Sequence, residues 1–590
     1  MLPSALLKPT PNQSRRSPNL FVSEQKSKSE SRSRDGSRRV WVFRLLFVLL
    51  GLAPFLALEI GLRVLQVGET DAPGDPFAGF NARNPLFQKV DDVYRTSRFR
   101  GQFFPEQEFA AEKPADEFRI FCLGGSTVYG KPFLADTAFP KWLELELNAR
   151  QPKKRIKAVN CGGISYASHR LLHVAREVAQ YSPDLIVLAT GHNEFLEDRT
   201  YYSLKSRSET EEWIDHTALS LKTVALARRW LGKDKTQSLA PSPDQVDDAS
   251  HVGDVVTRLD DRIGFASFKR DDAWRTRVAT EFDAMLREIV DVCRTADIPL
   301  ILVRLGSNLR DCPPFKSEHR PGLSPEDERR WRDAFDEGGR LDPADPANAL
   351  AAYRRAEAID NRHAQLQYRI ARCLDRLNRS DEARIRYLNA KNEDICALRM
   401  LDEFGAIVAR TAEVANAPLV DVQDVLDRAA PEGIPGFDLY LDHVHPCIGG
   451  HQRIAAALAA APAIGSLLDL SAPFTPQRRR SAFAAHFAAL PRNYFSNGRR
   501  RLEWLDQWAQ RQRLLDEITP RDAAGFVRQG MRRYEFANAE GAWSSFDQAL
   551  KLDHAVAVNL LKNYADELRA QGRPGLGDKL EKRLSMIGAR

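Results

Sequence analysis

From Phe118 onward, short apolar runs alternate with amphipathic stretches, and that alternation restricts the chain to one class of fold. The runs are Phe118–Leu123, Ala158–Asn160, Asp184–Thr190, Pro299–Leu305 and Pro418–Val422. They are strand-sized, and glycines, prolines or turn residues flank them. Between them, Phe139–Arg150, Ser168–Tyr181 and Trp274–Ala296 carry apolar residues at helical spacing. Strands alternating with helices imply an α/β fold, a parallel sheet covered by helices on both faces. In such sheets ligands bind beyond the carboxyl ends of the strands. The first run ends there in Gly124-Gly125 and then presents Ser126 at a turn, where a substrate carbonyl can reach it.

The chain has 590 residues, more than one compact domain holds, so further segments are expected. Residues 1–39 are rich in Ser, Arg, Lys and Pro and read as a disordered basic tail. Residues 40–67 follow with an uninterrupted apolar stretch of 14 residues, Leu45–Leu58, flanked by Arg44, Glu59 and Arg63. Fourteen falls short of the roughly 20 that span a bilayer, but the whole segment suffices if the arginines extend toward the interfaces. It shows no small-x-small cleavage site, so we expect an uncleaved single-pass signal anchor. The basic tail then stays cytoplasmic and everything after about residue 68 lies outside. Residues 68–115 read as a connector, 116–465 as the α/β domain, and 466–590 as a C-terminal helical region. A helical insertion at 200–270 has no legible purpose.

A second insertion, 327–400, carries a repeat. Ala349, Tyr353 and Ala356 recur as Ala383, Tyr387 and Ala390, displaced by 34 residues. Ala542, Phe546 and Ala549, after Gly530, have the same mutual spacing. Small residues where helices cross, with aromatics filling the gap, resemble tetratricopeptide repeats, whose period is 34. The resemblance implies possible protein partners for both segments.

Charge and cysteine use exclude other classes. The tail holds nine Lys/Arg against three acidic residues, which equals the formal +6 of the whole chain. The remainder is neutral, so nucleic-acid binding by the body is not expected. Seven scattered cysteines without C-x-x-C spacing give neither a zinc site nor a disulfide framework, and no metal or cofactor is expected.

Four stretches stand in order at strand ends: GGST with Ser126, VNCGGISYAS with Gly162, LATGHNE with Asn193, and YLDHVHPCIGGH with Asp442 and His445. This order resembles the SGNH (GDSL-type) hydrolase family, whose four blocks supply Ser, Gly, Asn and His; it covers 116–465 apart from the insertions. The resemblance implies a flavodoxin-like three-layer α/β/α sheet. It makes Ser126 the nucleophile, His445 the general base and Asp442 the residue that orients the base. It places the oxyanion donors at the N–H groups of Ser126 and Gly162 and the side-chain amide of Asn193. Gly163 is the alternative to Gly162. His443, His192 and His451 read as structural, and Glu194 as a hydrogen-bonding brace. In the loop after the fourth strand, Ser307, Asn308 and Arg310 could contact substrate, but ordinary loop structure is the preferred reading.

The first block departs from the family's best-known Gly-Asp-Ser-Leu, with Gly125 in place of Asp and Thr127 in place of Leu. No G-x-S-x-G elbow surrounds Ser126. The expectation is a membrane-anchored, extracytoplasmic serine esterase acting on an acylated glycan or a lipid. The alternatives are an O-acyltransferase acting on a cell-envelope glycan, which the same residues would serve, and a repeat scaffold for protein partners.

Overall fold

The computed structural model describes residues 30–64, 85–98, 100–101, 103–150, 153–205, 223, 268–468, 475–510 and 520–588. Nearly all of the 200–270 insertion lies outside the described residues, as does 1–29 of the expected tail. The chain divides into two compact units, Met1–Asp71 with Ser208–Ser238 and Ala72–Arg207 with Leu239–Arg590.

In the first unit, helix α1 spans Glu30–Val64. It begins inside the stretch expected to be disordered, so the tail's boundary moves back from residue 39. Glu59, awkward in an apolar run, accepts hydrogen bonds from the Thr223 N–H (2.9 Å) and hydroxyl (3.1 Å). Among the described residues no helix is long and apolar enough to cross a membrane. The side chains of Leu45, Val48 and Leu49 and all of 65–67 lie outside that description.

The second unit opens with a small antiparallel sheet, β1 (Phe87–Val90), β2 (Val93–Thr96) and β3 (Glu108–Ala110), within the segment expected to be a connector. Phe87 and Phe109 seat it against Tyr181 and Phe121. The five parallel strands are β4 (Glu117–Gly124), β5 (Arg155–Gly162), β6 (Leu185–Ala189), β7 (Leu300–Arg304) and β8 (Leu419–Asp421). Their spatial order is β5-β4-β6-β7-β8, the flavodoxin-like order. All five expected strands are present. β5 is the longest extension beyond its apolar run because it is an edge strand, where Arg155 and Lys157 can face outward without burying charge.

Helices cover both faces. The four-residue α2 (Ser126–Tyr129) leads out of β4, and α3 (Phe139–Ala149) packs on β5. On the sheet, α4 (Ser168–Val178) packs on β4, and α6 (Asp272–Thr295) packs on α4 and on α5 (Glu194–Lys205). Between β7 and β8 the chain inserts α7 (Pro325–Leu341), α8 (Pro346–Ile359), α9 (Ala364–Arg376) and α10 (Ser380–Asn392). Successive helices pack together around their own core, in which Ala349, Tyr353, Ala356, Ala383, Tyr387 and Ala390 are all buried. Next, α11 (Asp402–Ala415) packs on α6, while α12 (Val422–Ala429) meets α13 (Ile448–Ala459) on the α3 side.

The C-terminal region holds α14 (Pro462–Leu467), α15 (Pro476–Ala489), α16 (Tyr494–Gln510), α17 (Ala523–Tyr534), α18 (Ala539–Leu552), α19 (His554–Ala570) and α20 (Pro574–Gly588). The last four share a core built on Tyr534, Trp543, Phe546 and Leu561. Gly530 lies so close to Phe546 that a Cβ there would sit 2.2 Å from the ring, which explains a small residue opposite an aromatic.

Candidate active site

β4 is buried along its whole length and paired on both sides, so the chain leaving it is rigidly placed. Ser126 is the first residue of α2, directly after Gly125. Its N–H heads a helix and therefore has no carbonyl one turn earlier to bond within that helix. A loop after α12 brings the other residues. His445 Nε2 lies 2.7 Å from Ser126 Oγ, and His445 Nδ1 lies 2.6 Å from Asp442 Oδ2. The other carboxylate oxygen accepts the Val444 and His445 N–H groups at 2.9 and 2.8 Å. The Leu441 N–H closes the turn on the His445 carbonyl at 2.8 Å. A D-x-x-H turn thus fixes carboxylate and imidazole from one short loop.

Asp442 is buried, which alone would raise its pKa. The charges of His445 and His443 and the hydrogen bonds from His445 outweigh burial and hold the carboxyl far below the ordinary range. An ionised Asp442 facing Nδ1 keeps the proton there and leaves Nε2 as an acceptor toward Ser126 Oγ.

Asn193 follows β6. Its Nδ2 donates to the Tyr166 carbonyl at 2.9 Å, which leaves its second hydrogen for another acceptor. An ideal Cβ on Gly125 would lie 2.6 Å from that same Nδ2, so the amide fills the space a side chain at 125 would take.

Gly162 does not fit the donor role expected of it. Its N–H is committed to Asn160 Oδ1 at 2.9 Å, and that of Gly163, the alternative, goes to the Gly124 carbonyl at 2.8 Å. What Gly162 provides is close approach: a Cβ there would stand 2.1 Å from the Tyr129 nitrogen. Asn160 ties the same place together, its Nδ2 donating to the Val128 carbonyl at 2.8 Å. From Gly162 to Ser168, the N–H of Ser165 alone has no protein acceptor among the described residues. Ser165 takes a left-handed φ of 59°.

The remaining candidates take structural places. Glu194 accepts from the Ser168 N–H (3.1 Å), the Ser168 hydroxyl (2.7 Å) and the Thr190 hydroxyl (3.2 Å). His192 accepts the Met400 N–H at 3.0 Å, and burial, then the charges of His443 and His445, push its pKa well down. His451 accepts the Phe139 N–H at 3.3 Å and is pushed down to about 3 by burial. His443 flanks the triad carboxylate at 3.6 Å and packs edge-on against Phe315.

The loop after β7 holds the triad turn instead of facing substrate. Asn308 is fully buried; it donates from Nδ2 to the Asp442 carbonyl (3.0 Å) and from its N–H to the His443 carbonyl (3.0 Å). Arg310 is buried on Asp375 and Glu432. Ser307 is buried beside them. Among the described residues no group of three or more His, Cys, Asp or Glu is placed to hold a metal ion.

Fold and site together define a parallel α/β domain that brings Ser126, His445 and Asp442 into one hydrogen-bonded line beyond the carboxyl end of β4. No protein-family model and no curated protein matches the chain. Solved structures with a detectable likeness include a putative lipolytic protein of the G-D-S-L family from Desulfitobacterium hafniense DCB-2, 10% identical, covering 58% of this chain and 97% of that one at a TM-score of 0.26. A GDSL-like lipase from Bacteroides thetaiotaomicron is 11% identical, covering 61% and 92% at a TM-score of 0.26. The acetyl xylan esterase AlAXEase is 11% identical, covering 58% and 98% at a TM-score of 0.27.

Proposed function

We propose that the chain is a serine esterase of the SGNH (GDSL-type) kind. The observation that carries this reading is the line Ser126 Oγ, His445, Asp442, at 2.7 and 2.6 Å. His445 Nε2 removes the hydroxyl proton as Ser126 Oγ bonds to the ester carbonyl carbon. The negative charge forms on the carbonyl oxygen. The donors we assign to it are the Asn193 amide and the Ser126 N–H. As the tetrahedral species collapses, the ester C–O bond breaks and the imidazolium returns its proton to the departing alkoxide. Water then attacks the acyl-serine by the reverse sequence, with His445 again taking the proton, and the free acid leaves.

The substrate class we assign is an acylated glycan or a lipid ester outside the cytoplasm, with α1 as the tether to the membrane. The apolar composition of 45–58 and the exposed Phe47, Leu50, Phe55 and Ile60 on α1 support the tether. If a sugar hydroxyl replaces water at the second step, the same residues transfer the acyl group.

The test is a screen of purified protein on short and long p-nitrophenyl esters and acetylated glycans, with Ser126→Ala as control. Turnover confined to the chain with Ser126 supports the mechanism, and activity surviving in Ser126→Ala overturns it. Product that forms only with added glycan, with slow hydrolysis otherwise, selects acyl transfer. Release of the full chain from membranes by an alkaline wash would overturn the tether.

A further inference from the structure

Residues 435–448, which carry Asp442 and His445, lie outside the sheet. Apart from an isolated bridge between Tyr440 and Pro446, they belong to no ladder. One face of α17 grips this loop at three points. Arg528, Arg532 and Glu535 are spaced four and three residues apart, so they share a face of the helix and its C-cap. Arg528 donates to both oxygens of Asp311 at 2.9 and 3.3 Å, and the same carboxylate accepts the Phe437 N–H at 2.9 Å. Arg532 Nε donates to the Leu441 carbonyl, and its guanidinium lies 4.6 Å over the Phe437 ring. Glu535 accepts the Ile448 N–H at 2.9 Å while Arg573 holds its other oxygen, also at 2.9 Å. The contacts at 437, 441 and 448 bracket Asp442 and His445. Asp311 adds a path from the other side, since its N–H bonds Asn308 Oδ1 at 2.9 Å and Asn308 bonds the Asp442 carbonyl.

We propose that α17 is a positioning element of the Asp442–His445 loop, with Arg532 fixing the peptide before Asp442. On this view the C-terminal helical region is part of the hydrolytic site. It is not a separable partner-binding module. The inference rests on the serine-esterase reading only for its kinetic consequence. Ser126 stands on the end of a fully paired central strand, so loosening the loop moves base relative to nucleophile, and a shift of about 1 Å costs on the order of 100-fold in rate.

The experiment uses the full chain and the variants Arg532→Met, Arg532→Lys and Glu535→Gln. Methionine keeps apolar cover on Phe437 and removes the donor. The expected result is a kcat at least about 10-fold lower in Arg532→Met with KM little changed, and partial recovery in Arg532→Lys. Deuterium exchange followed by mass spectrometry gives a readout independent of turnover: peptides from 435–448 should exchange faster in Arg532→Met and Glu535→Gln while those from β4 and β6 do not. Wild-type kcat in both variants, or unchanged exchange in that loop, overturns the proposal. Faster exchange throughout the sheet also overturns it, because that signals general destabilisation. A wild-type chain without Ser126-dependent turnover refutes the esterase reading, and the exchange arm still decides whether α17 holds the loop.

Discussion

Gly125→Ala separates the catalytic from the structural demands on the turn that carries Ser126. The backbone at 125 has φ −87° and ψ −156°, a conformation open to alanine, so no strain arises there. The added methyl would lie 2.6 Å from Asn193 Nδ2 and 3.3 Å from the Tyr166 carbonyl, where ordinary contact begins at 3.4 Å. The amide therefore has to retreat by about 0.8 Å. Because it ends a side chain that can rotate, the fold survives, but its bond to Tyr166 and the oxyanion role proposed for it do not. Losing one such donor costs about 100- to 1000-fold in kcat, or ~2.7–4 kcal/mol of barrier. The assay is kcat and KM on p-nitrophenyl acetate for Gly125→Ala, Asn193→Ala and the double variant, with thermal denaturation alongside. We expect a Tm close to wild type, kcat lowered by about 100-fold, and a double variant no slower than Asn193→Ala, since both changes remove the same donor. Wild-type kcat in Gly125→Ala, or losses that simply multiply, would refute the reasoning.

Three further substitutions have expected outcomes of their own. Asp442→Asn presents an amide to Nδ1, favours the wrong tautomer of His445 and should lower kcat by about 10,000-fold at neutral pH with the fold intact; a loss under tenfold would count against the triad. Gly162→Ala places a methyl 2.1 Å from the Tyr129 nitrogen and 2.6 Å from the Val128 carbonyl carbon, backbone atoms of the nucleophile's own helix. It should cost at least about 3 kcal/mol or prevent folding, and a wild-type Tm would show that contact to be misread. Asp438→Asn tests pH dependence. Burial foremost pushes this carboxyl up to about 6, against about 3.9 when unfolded. The folded chain thus holds its proton more tightly, so its contribution is fully present below about pH 4 and is lost as pH rises through 6. Above that the buried charge costs up to about 3 kcal/mol. The variant should raise Tm at pH 7.5 and leave it unchanged at pH 4, and equal shifts at both would contradict the assignment.

The sheet was legible because apolar runs on fully buried parallel strands carry their own signature, and every expected strand formed. Only β5 ran well past its apolar segment, since an edge strand tolerates Arg155 and Lys157. The Ser126, Asp442 and His445 cluster was legible because two of its members lie three residues apart in one turn and the third ends a strand. Gly162 was misread for a physical reason: spacing identifies a glycine near the site, yet it does not reveal which acceptor takes the N–H, and here Asn160 takes it. The loop after β7 has the ordinary loop structure that was the preferred reading, but the particular role of Asn308 was not legible, because the carbonyl it holds belongs to Asp442, 134 residues away. The start of α1 at Glu30 was hidden by a composition that favours disorder.

The two arms of the triad are supported very differently, and this accounts for where the extra helices lie. Ser126 inherits its position from β4, paired along its length with β5 and β6. The Asp442–His445 loop has no such ladder; the segment after β7 holds it through backbone and side-chain bonds of Asn308, and side chains from other parts of the chain add to these. The inserted helices reach it through Arg310: its side chain joins Asp375 of α9 to Glu432 just before the loop, and its carbonyl accepts the Tyr368 hydroxyl at 2.8 Å. The C-terminal helices reach it through Arg528, Arg532 and Glu535. The two helical segments also meet each other, where Arg521 lies 2.8 Å from the buried Asp342. Both segments thus add contacts to the arm of the site that no strand ladder carries, beside those from the segment after β7.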